Sequence, residues 1–203
     1  TYESAVEAFA EQAAALDEGG VDLFVIETMS DLEEVKAAVE GCQRASDLPI
    51  AATMTFDTNY HTMMGVSPEV AMRTLADMGV QIIGANCGNG PDEIRRVISE
   101  MAAVRPDGVY LMAQSNAGLP KYVDGEIAYD GTPQVMADYA LDMAAMGVDI
   151  IGGCCGSTPT HIEAMKTALA TRPIPEYNPG SETPPGAEAP PARRSRRTRR
   201  RAR

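Results

Sequence analysis

The sequence predicts a parallel α/β fold, a (β/α)8 TIM barrel present as its last five βα units and followed by a disordered C-terminal tail. Three observations predict it. Short apolar runs of β-type residues alternate with amphipathic helical segments. The runs begin near residues 22, 50, 81, 108 and 149, so successive starts lie 28, 31, 27 and 41 residues apart, the rhythm of βαβ units. The chemically distinctive residues Glu27, Asn86-Cys87 and Cys154-Cys155 close three different runs. A doubly wound sheet has the same rhythm, but only a barrel gathers its strand ends into one mouth. Neither a GxGxxG nor a GK[ST] phosphate loop is present.

The elements follow in order. Ala5–Leu16 reads as a helix, closed by Gly19-Gly20. The strand candidates are Asp22–Glu27, Ile50–Phe56, Gln81–Asn86, Gly108–Gln114 and Asp149–Gly152. They are mostly apolar, as strands buried on both faces should be. Ser30-Asp31-Leu32-Glu33 reads as a capping box with Ser30 as N-cap, and Leu32, Val35, Val39 and Cys42 follow at helical spacing. Pro68, Pro91, Pro133 and Pro159 sit at first helical positions, three of them behind Ser67, Thr132 and Thr158. Met78-Gly79 and Met146-Gly147 end helices and lead into the next strand. The barrel part occupies residues 1–172. From Pro173 the chain is rich in Pro, Gly and Glu and then Arg, so 173–203 reads as a disordered tail.

The 203 residues carry a formal charge of −12, unevenly spread. Residues 193–203 hold eight arginines and no acid, which leaves −20 on residues 1–192. Such a body repels phosphates, so it is not expected to bind nucleic acid by charge alone, and a nucleic-acid partner is expected only through the Arg-rich tail. No apolar run approaches the roughly 20 residues that span a bilayer, and no positively charged segment followed by an apolar core opens the sequence, so no signal peptide is expected in it. The expected location is cytoplasmic, where cysteines stay reduced and serve as ligands or nucleophiles.

Three of the four cysteines stand at strand ends beside glycines. Adjacent residues in a regular strand point to opposite faces, so Cys154-Cys155 must lie where its strand stops if both are to face one point. Thiols at that place suit a soft metal ion. Packed core thiols or a redox-active vicinal pair are the alternatives at this level. Three thiolates with an open fourth position make an electron-rich zinc, suited to binding an incoming thiol and leaving it nucleophilic. Cys42 falls on the apolar stripe of its helix and reads as core. His61 reads as a solvated loop residue and His161 as structural.

GGCCGSTPTHI (152–162), GANCG (84–88), VIETMSDLEE (25–34) and the Ser115–Pro120 stretch together resemble the zinc-dependent homocysteine S-methyltransferase family. That family includes the homocysteine-binding module of cobalamin-dependent methionine synthase and betaine–homocysteine methyltransferase. The resemblance covers roughly residues 1–170. It implies a (β/α)8 barrel that transfers a methyl group to a thiol, classically homocysteine to methionine. It implies Zn²⁺ held by Cys87, Cys154 and Cys155, and substrate binding by Glu27, whose carboxylate would pair with an amino-acid ammonium. Asn86 and Asn116 are candidates for the substrate carboxylate or for orienting the ligands.

The family's first strand, with its glycine-rich turn and acid, has no counterpart here, and the Asp57–Gly65 loop is only loosely family-like. The methyl donor is expected to be cobalamin or methyltetrahydrofolate supplied by a partner such as a separate corrinoid protein, or a sulfonium or betaine compound. Two alternatives stand beside this reading. One is methyl transfer to another thiol or to a corrinoid protein in one-carbon catabolism. The other is an inactive barrel fragment or scaffold whose basic tail binds nucleic acid.

Overall fold

A computed structural model describes residues 1–123 and 125–177. The predicted disorder of the tail and its Arg-rich stretch therefore fall, from residue 178 onward, outside the described residues. The chain runs α1 (Tyr2–Glu18), β1 (Phe24–Met29), α2 (Leu32–Ala45), β2 (Ile50–Met54), α3 (Pro68–Asp77) and β3 (Ile82–Cys87). It continues through α4 (Pro91–Ala103), β4 (Tyr110–Ser115), β5 (Pro120–Val123), β6 (Glu126–Tyr129), α5 (Pro133–Ala145), β7 (Ile150–Gly153) and α6 (Pro159–Thr171).

Five strands form a parallel sheet in the order β1-β2-β3-β4-β7, and β5 and β6 form a separate antiparallel hairpin. The spatial order follows the chain and never reverses. A doubly wound sheet has a reversal, and with it a switch-point crevice; this sheet has none. All βα connections therefore emerge at one end, which becomes the mouth of the fold.

The strand period separates two faces. Phe24, Ile26, Ile50, Ala52, Met54, Ile83, Ala85, Leu111 and Ala113 are buried on the helix side. There they join one cluster with Val35, Met72, Leu75, Ile94, Ile98, Met101, Met136 and Met143 from the helices. Register places Val25, Tyr110 and Ile150 on the other face, where they remain exposed.

The helix signals hold in most places. Pro68, Pro91, Pro133 and Pro159 open α3, α4, α5 and α6. Gly79 and Gly147 follow the caps of α3 and α5 in left-handed conformation. Cys42 is buried in α2.

Two expectations change. The N-cap of α2 is Asp31 rather than Ser30; its carboxylate accepts from the amides of Glu33 at 2.7 Å and Glu34 at 3.4 Å. A charged acceptor at that end also meets the positive pole of the helix. The β5–β6 hairpin, between β4 and α5, was not expected. Several strands also start one or two residues later than the apolar runs suggest. β1 is irregular at its end, where Ile26 pairs with Ala52 but Met29 with Met54, so Glu27 and Thr28 form a bulge.

Candidate metal centre

β3 ends on Cys87 and β7 ends on Gly153, immediately before Cys154-Cys155. Since the two strands flank β4, their ends are two positions apart at the mouth. The Sγ atoms of Cys87 and Cys155 are 4.0 Å apart, as are those of Cys154 and Cys155. All three lie within 4.8 Å of one another. A tetrahedral zinc with Zn–S bonds of about 2.3 Å sets its sulfurs roughly 3.8 Å apart. The thiols therefore stand close to the spacing such an ion requires. Three soft donors, with no fourth ligand beside them among the described residues, also leave one position for an incoming group.

Two asparagines build the frame around the thiols. Asn86 is buried. Its Oδ1 accepts from the Thr28 amide at 2.9 Å and from the Thr53 hydroxyl at 2.7 Å. Its Nδ2 donates to Thr28 Oγ1 at 2.7 Å and toward Cys154 Sγ at 3.8 Å. One side chain thus ties β1, β2 and β3 to the cysteine pair. Asn116 donates from Nδ2 to the Gly88 carbonyl at 2.7 Å and accepts at Oδ1 from the Cys155 amide at 3.0 Å. It clamps the loop after Cys87 to the loop that carries Cys155. The backbone adds Cys154 N–H to Ser115 O at 2.7 Å and Ala117 N–H to Cys155 O at 2.9 Å.

The frame holds strained backbone. Thr28 and Cys87 both have φ of 64°, a region that costs a β-branched residue about 1–3 kcal/mol. The two hydrogen bonds between Thr28 and Asn86 offset that cost at Thr28. The thiols also feel each other. Burial first, and then the neighbouring Cys87, push the Cys154 thiol up to about 11.

The other sequence candidates distribute as follows. Glu27 is exposed on the β1 bulge and has no hydrogen-bond partner among the described residues. It borders a groove between α1 and β1 with Phe9, Gln12 and Val25. His61 is exposed and its Nδ1 donates to the Asn59 carbonyl at 3.0 Å. His161 accepts the Thr158 amide at Nδ1 over 3.1 Å, so its Nε2 carries the proton given to the Gly131 carbonyl at 2.9 Å. Cys42 stands apart from the thiol cluster, its own pKa raised by burial.

Sequence reasoning missed Thr28 and Tyr129. Nothing in the sequence marks Thr28 as left-handed. The hairpin that carries Tyr129 did leave a signal, since Asp124-Gly125 stands between two β-type runs, Lys121–Val123 and Glu126–Tyr129. The Tyr129 ring packs over Gly156, and burial first, and then the thiols of Cys155, Cys87 and Cys154, hold its phenol above the ordinary value.

Parallel strands that deliver three thiols to one end of a sheet make an α/β protein with a strand-end cluster that could hold a metal ion. The chain belongs to the homocysteine S-methyltransferase family, whose sequence profile matches residues 1–169. A methionine synthase of Mycobacterium tuberculosis (strain ATCC 25618 / H37Rv) is 32% identical over 176 residues, 84% of this chain and 15% of that protein. The apo homocysteine methyltransferase MmuM from Escherichia coli superposes with a TM-score of 0.64 at 24% identity, over 80% of this chain and 57% of that one. Its metallated form gives a TM-score of 0.64 at 25% identity, over 80% of this chain and 51% of that one. The chain thus spans about half the length of these structures and a much smaller part of the synthase. Among the described residues no helix is long and apolar enough to cross a membrane.

Proposed function

We propose that the protein is a zinc-dependent methyltransferase that moves a methyl group onto the thiol of homocysteine to form methionine. The observation that carries this reading is the cluster of Cys87, Cys154 and Cys155 at near-tetrahedral sulfur spacing. Family membership supports the acceptor, as do the names methionine synthase and homocysteine methyltransferase borne by its relatives. We further propose that the sheet is an arc of a (β/α)8 barrel made by the last five βα units. Its unreversed winding supports this, as do Val25, Tyr110 and Ile150, exposed apolar residues that a closed barrel would bury.

Cys87, Cys154 and Cys155 would hold the zinc, which would supply a Lewis acid that lowers the pKa of a bound thiol while leaving its sulfur nucleophilic. The chain's other residues do the rest. Asn86 and Asn116, with their polar atoms already engaged, fix the two cysteine loops at the required separation. Glu27, unpaired on its bulge, pairs with the amino group of homocysteine and orients the sulfur toward the donor. That sulfur attacks the methyl carbon in line, so a sulfur–carbon bond forms as the bond to the donor breaks. A partner presents the donor as a methylated corrinoid or as methyltetrahydrofolate acting through one. The loops around the mouth expose Met63, Met64, Tyr122 and Ile127, a rim suited to a large apolar cofactor or its carrier.

The test is methionine formation from homocysteine with methylcobalamin, methyltetrahydrofolate plus a corrinoid protein, and sulfonium and betaine donors. The reading predicts methionine with at least one donor, abolished by chelation and restored by zinc. A metal-independent activity, or faster methylation of a different thiol, overturns it.

A further inference from the structure

We infer that Thr28 is a positioning residue that sets which thiol the site accepts: its two hydrogen bonds to Asn86 hold Glu27 in place relative to the three cysteines, so that homocysteine is selected over a thiol one methylene shorter. The inference rests on the proposed roles of the cysteines as zinc ligands and of Glu27 as the partner of the amino group. It starts from the register of β1. Ile26 stands opposite Ala52 and Met29 opposite Met54, so Glu27 and Thr28 together stand opposite the single residue Thr53. In a regular strand these two side chains would point to opposite faces. A bulge re-aims them, and bulges concentrate beside active sites.

The bulge is held in a conformation that Thr28 alone disfavours. Its φ of 64° persists in a β-branched residue only where the surroundings over-determine it. Asn86 supplies that constraint: its Oδ1 accepts from the Thr28 amide at 2.9 Å, and its Nδ2 donates to Thr28 Oγ1 at 2.7 Å. Asn86 has other bonds to orient its own side chain, from the Thr53 hydroxyl at 2.7 Å and toward Cys154 Sγ at 3.8 Å. The paired bonds to Thr28 therefore require a separate reason. What they fix is the preceding residue, since Glu27 is exposed and has no hydrogen-bond partner of its own among the described residues. The connection to the thiols is short: Glu27 is joined to Thr28 by the backbone, Thr28 to Asn86 by two hydrogen bonds, and Asn86 to Cys154 by one. A substrate held by its ammonium at one end and its sulfur at the other must match the span between those two points. One missing methylene is then worth about tenfold or more in discrimination.

The experiment measures thiol binding to the whole zinc-loaded chain by titration calorimetry. The ligands are homocysteine, cysteine, and 4-mercaptobutyrate, which is homocysteine without its amino group. Thr28→Gly removes the hydroxyl yet accepts a left-handed backbone, so the fold is kept; Thr28→Ser keeps both bonds to Asn86. The wild type is expected to bind homocysteine about tenfold or more tighter than cysteine. Thr28→Gly is expected to bind homocysteine about tenfold more weakly, because the charged contact at Glu27 is no longer held in place. Its binding of cysteine and 4-mercaptobutyrate, and its zinc affinity by chelator competition, are expected to stay as in the wild type. Thr28→Ser is expected to restore homocysteine binding. Unweakened homocysteine binding in Thr28→Gly overturns the role of Thr28 and leaves the zinc and Glu27 readings intact. Equal weakening of 4-mercaptobutyrate, or a matching loss of zinc affinity, also overturns it, since the effect then does not pass through Glu27. A wild type that binds 4-mercaptobutyrate as tightly as homocysteine removes the Glu27 reading and this inference together. A zinc-loaded wild type that binds none of these thiols overturns the proposed function as well.

Discussion

The helix-covered face of the sheet and the mouth at its strand ends are built by different means. On the helix side, residues from Phe24 to Ala113 are apolar and shielded, and their stabilisation comes from packing. At the mouth, polar side chains, adjacent thiols and strained backbone share a small space. Thr28, Asn59, Tyr60 and Cys87, the four non-glycine residues with positive φ among the described residues, all lie there. Buried amides rather than apolar contacts hold this region in place. The difference teaches that the core can be altered without touching the thiol geometry, and that Asn86 and Asn116 are where stability and chemistry meet.

The comparison can be broken first inside the helix layer, which contains one charged exception. Arg95 and Asp142 are both buried and paired at 2.7 Å between α4 and α5. Arg95→Ala leaves the Asp142 carboxylate without its partner and should cost about 3–5 kcal/mol in denaturant unfolding. Because burial already pushes Asp142 upward despite Arg95, the loss should shrink at acid pH, where that carboxyl is neutral. Next, Leu111→Ala should cost about 2–5 kcal/mol by opening a cavity, yet leave zinc affinity unchanged.

The mouth should show the reverse pattern. Asn86→Ala removes the bonds that hold Thr28 left-handed and orient Cys154. It should cost about 1–3 kcal/mol but weaken zinc binding about 10–100-fold, measured by chelator competition on folded protein. Equal zinc affinity in Asn86→Ala and wild type would dissolve the distinction between the two regions.

The smallest effect concerns the hairpin. Lys121 pairs with Asp130 and holds that carboxyl below its ordinary value. A lowered folded pKa means the pair contributes above the ordinary carboxylate range and is lost as pH falls through the lowered value. Amide protection factors in β5 and β6, with the intrinsic pH dependence of exchange divided out, should therefore fall on acidification through that lowered value before those in β2 or β3 do.

Much of the architecture was legible because it rests on local chemistry. Pro68, Pro133 and Pro159 behind hydroxyl caps marked helix starts, and the apolar runs marked the strands they precede. Cys87 and Cys154-Cys155 were legible as strand-end thiols because adjacent cysteines cannot face one point from within a regular strand. Cys42 was legible as core from its helical spacing. The Ser30 cap was misread because Ser30 and Asp31 both fit the motif, and only the helix register separates them. Thr28 was invisible because its left-handed backbone is imposed by Asn86, 58 positions away in the chain. Tyr129 was overlooked for a different reason: its place beside the thiols depends on how the hairpin folds back over Gly156, which no local pattern encodes.

The most direct test of the central claim is zinc per folded chain in the wild type and in Cys87→Ala, Cys154→Ala and Cys155→Ala. The account predicts one zinc in the wild type and less than about a tenth of that in each variant, with far-UV circular dichroism unchanged, since losing one of three thiolates removes most of the binding energy. Retention of stoichiometric zinc by any of the three variants, or a folded wild-type chain that takes up none, would contradict it.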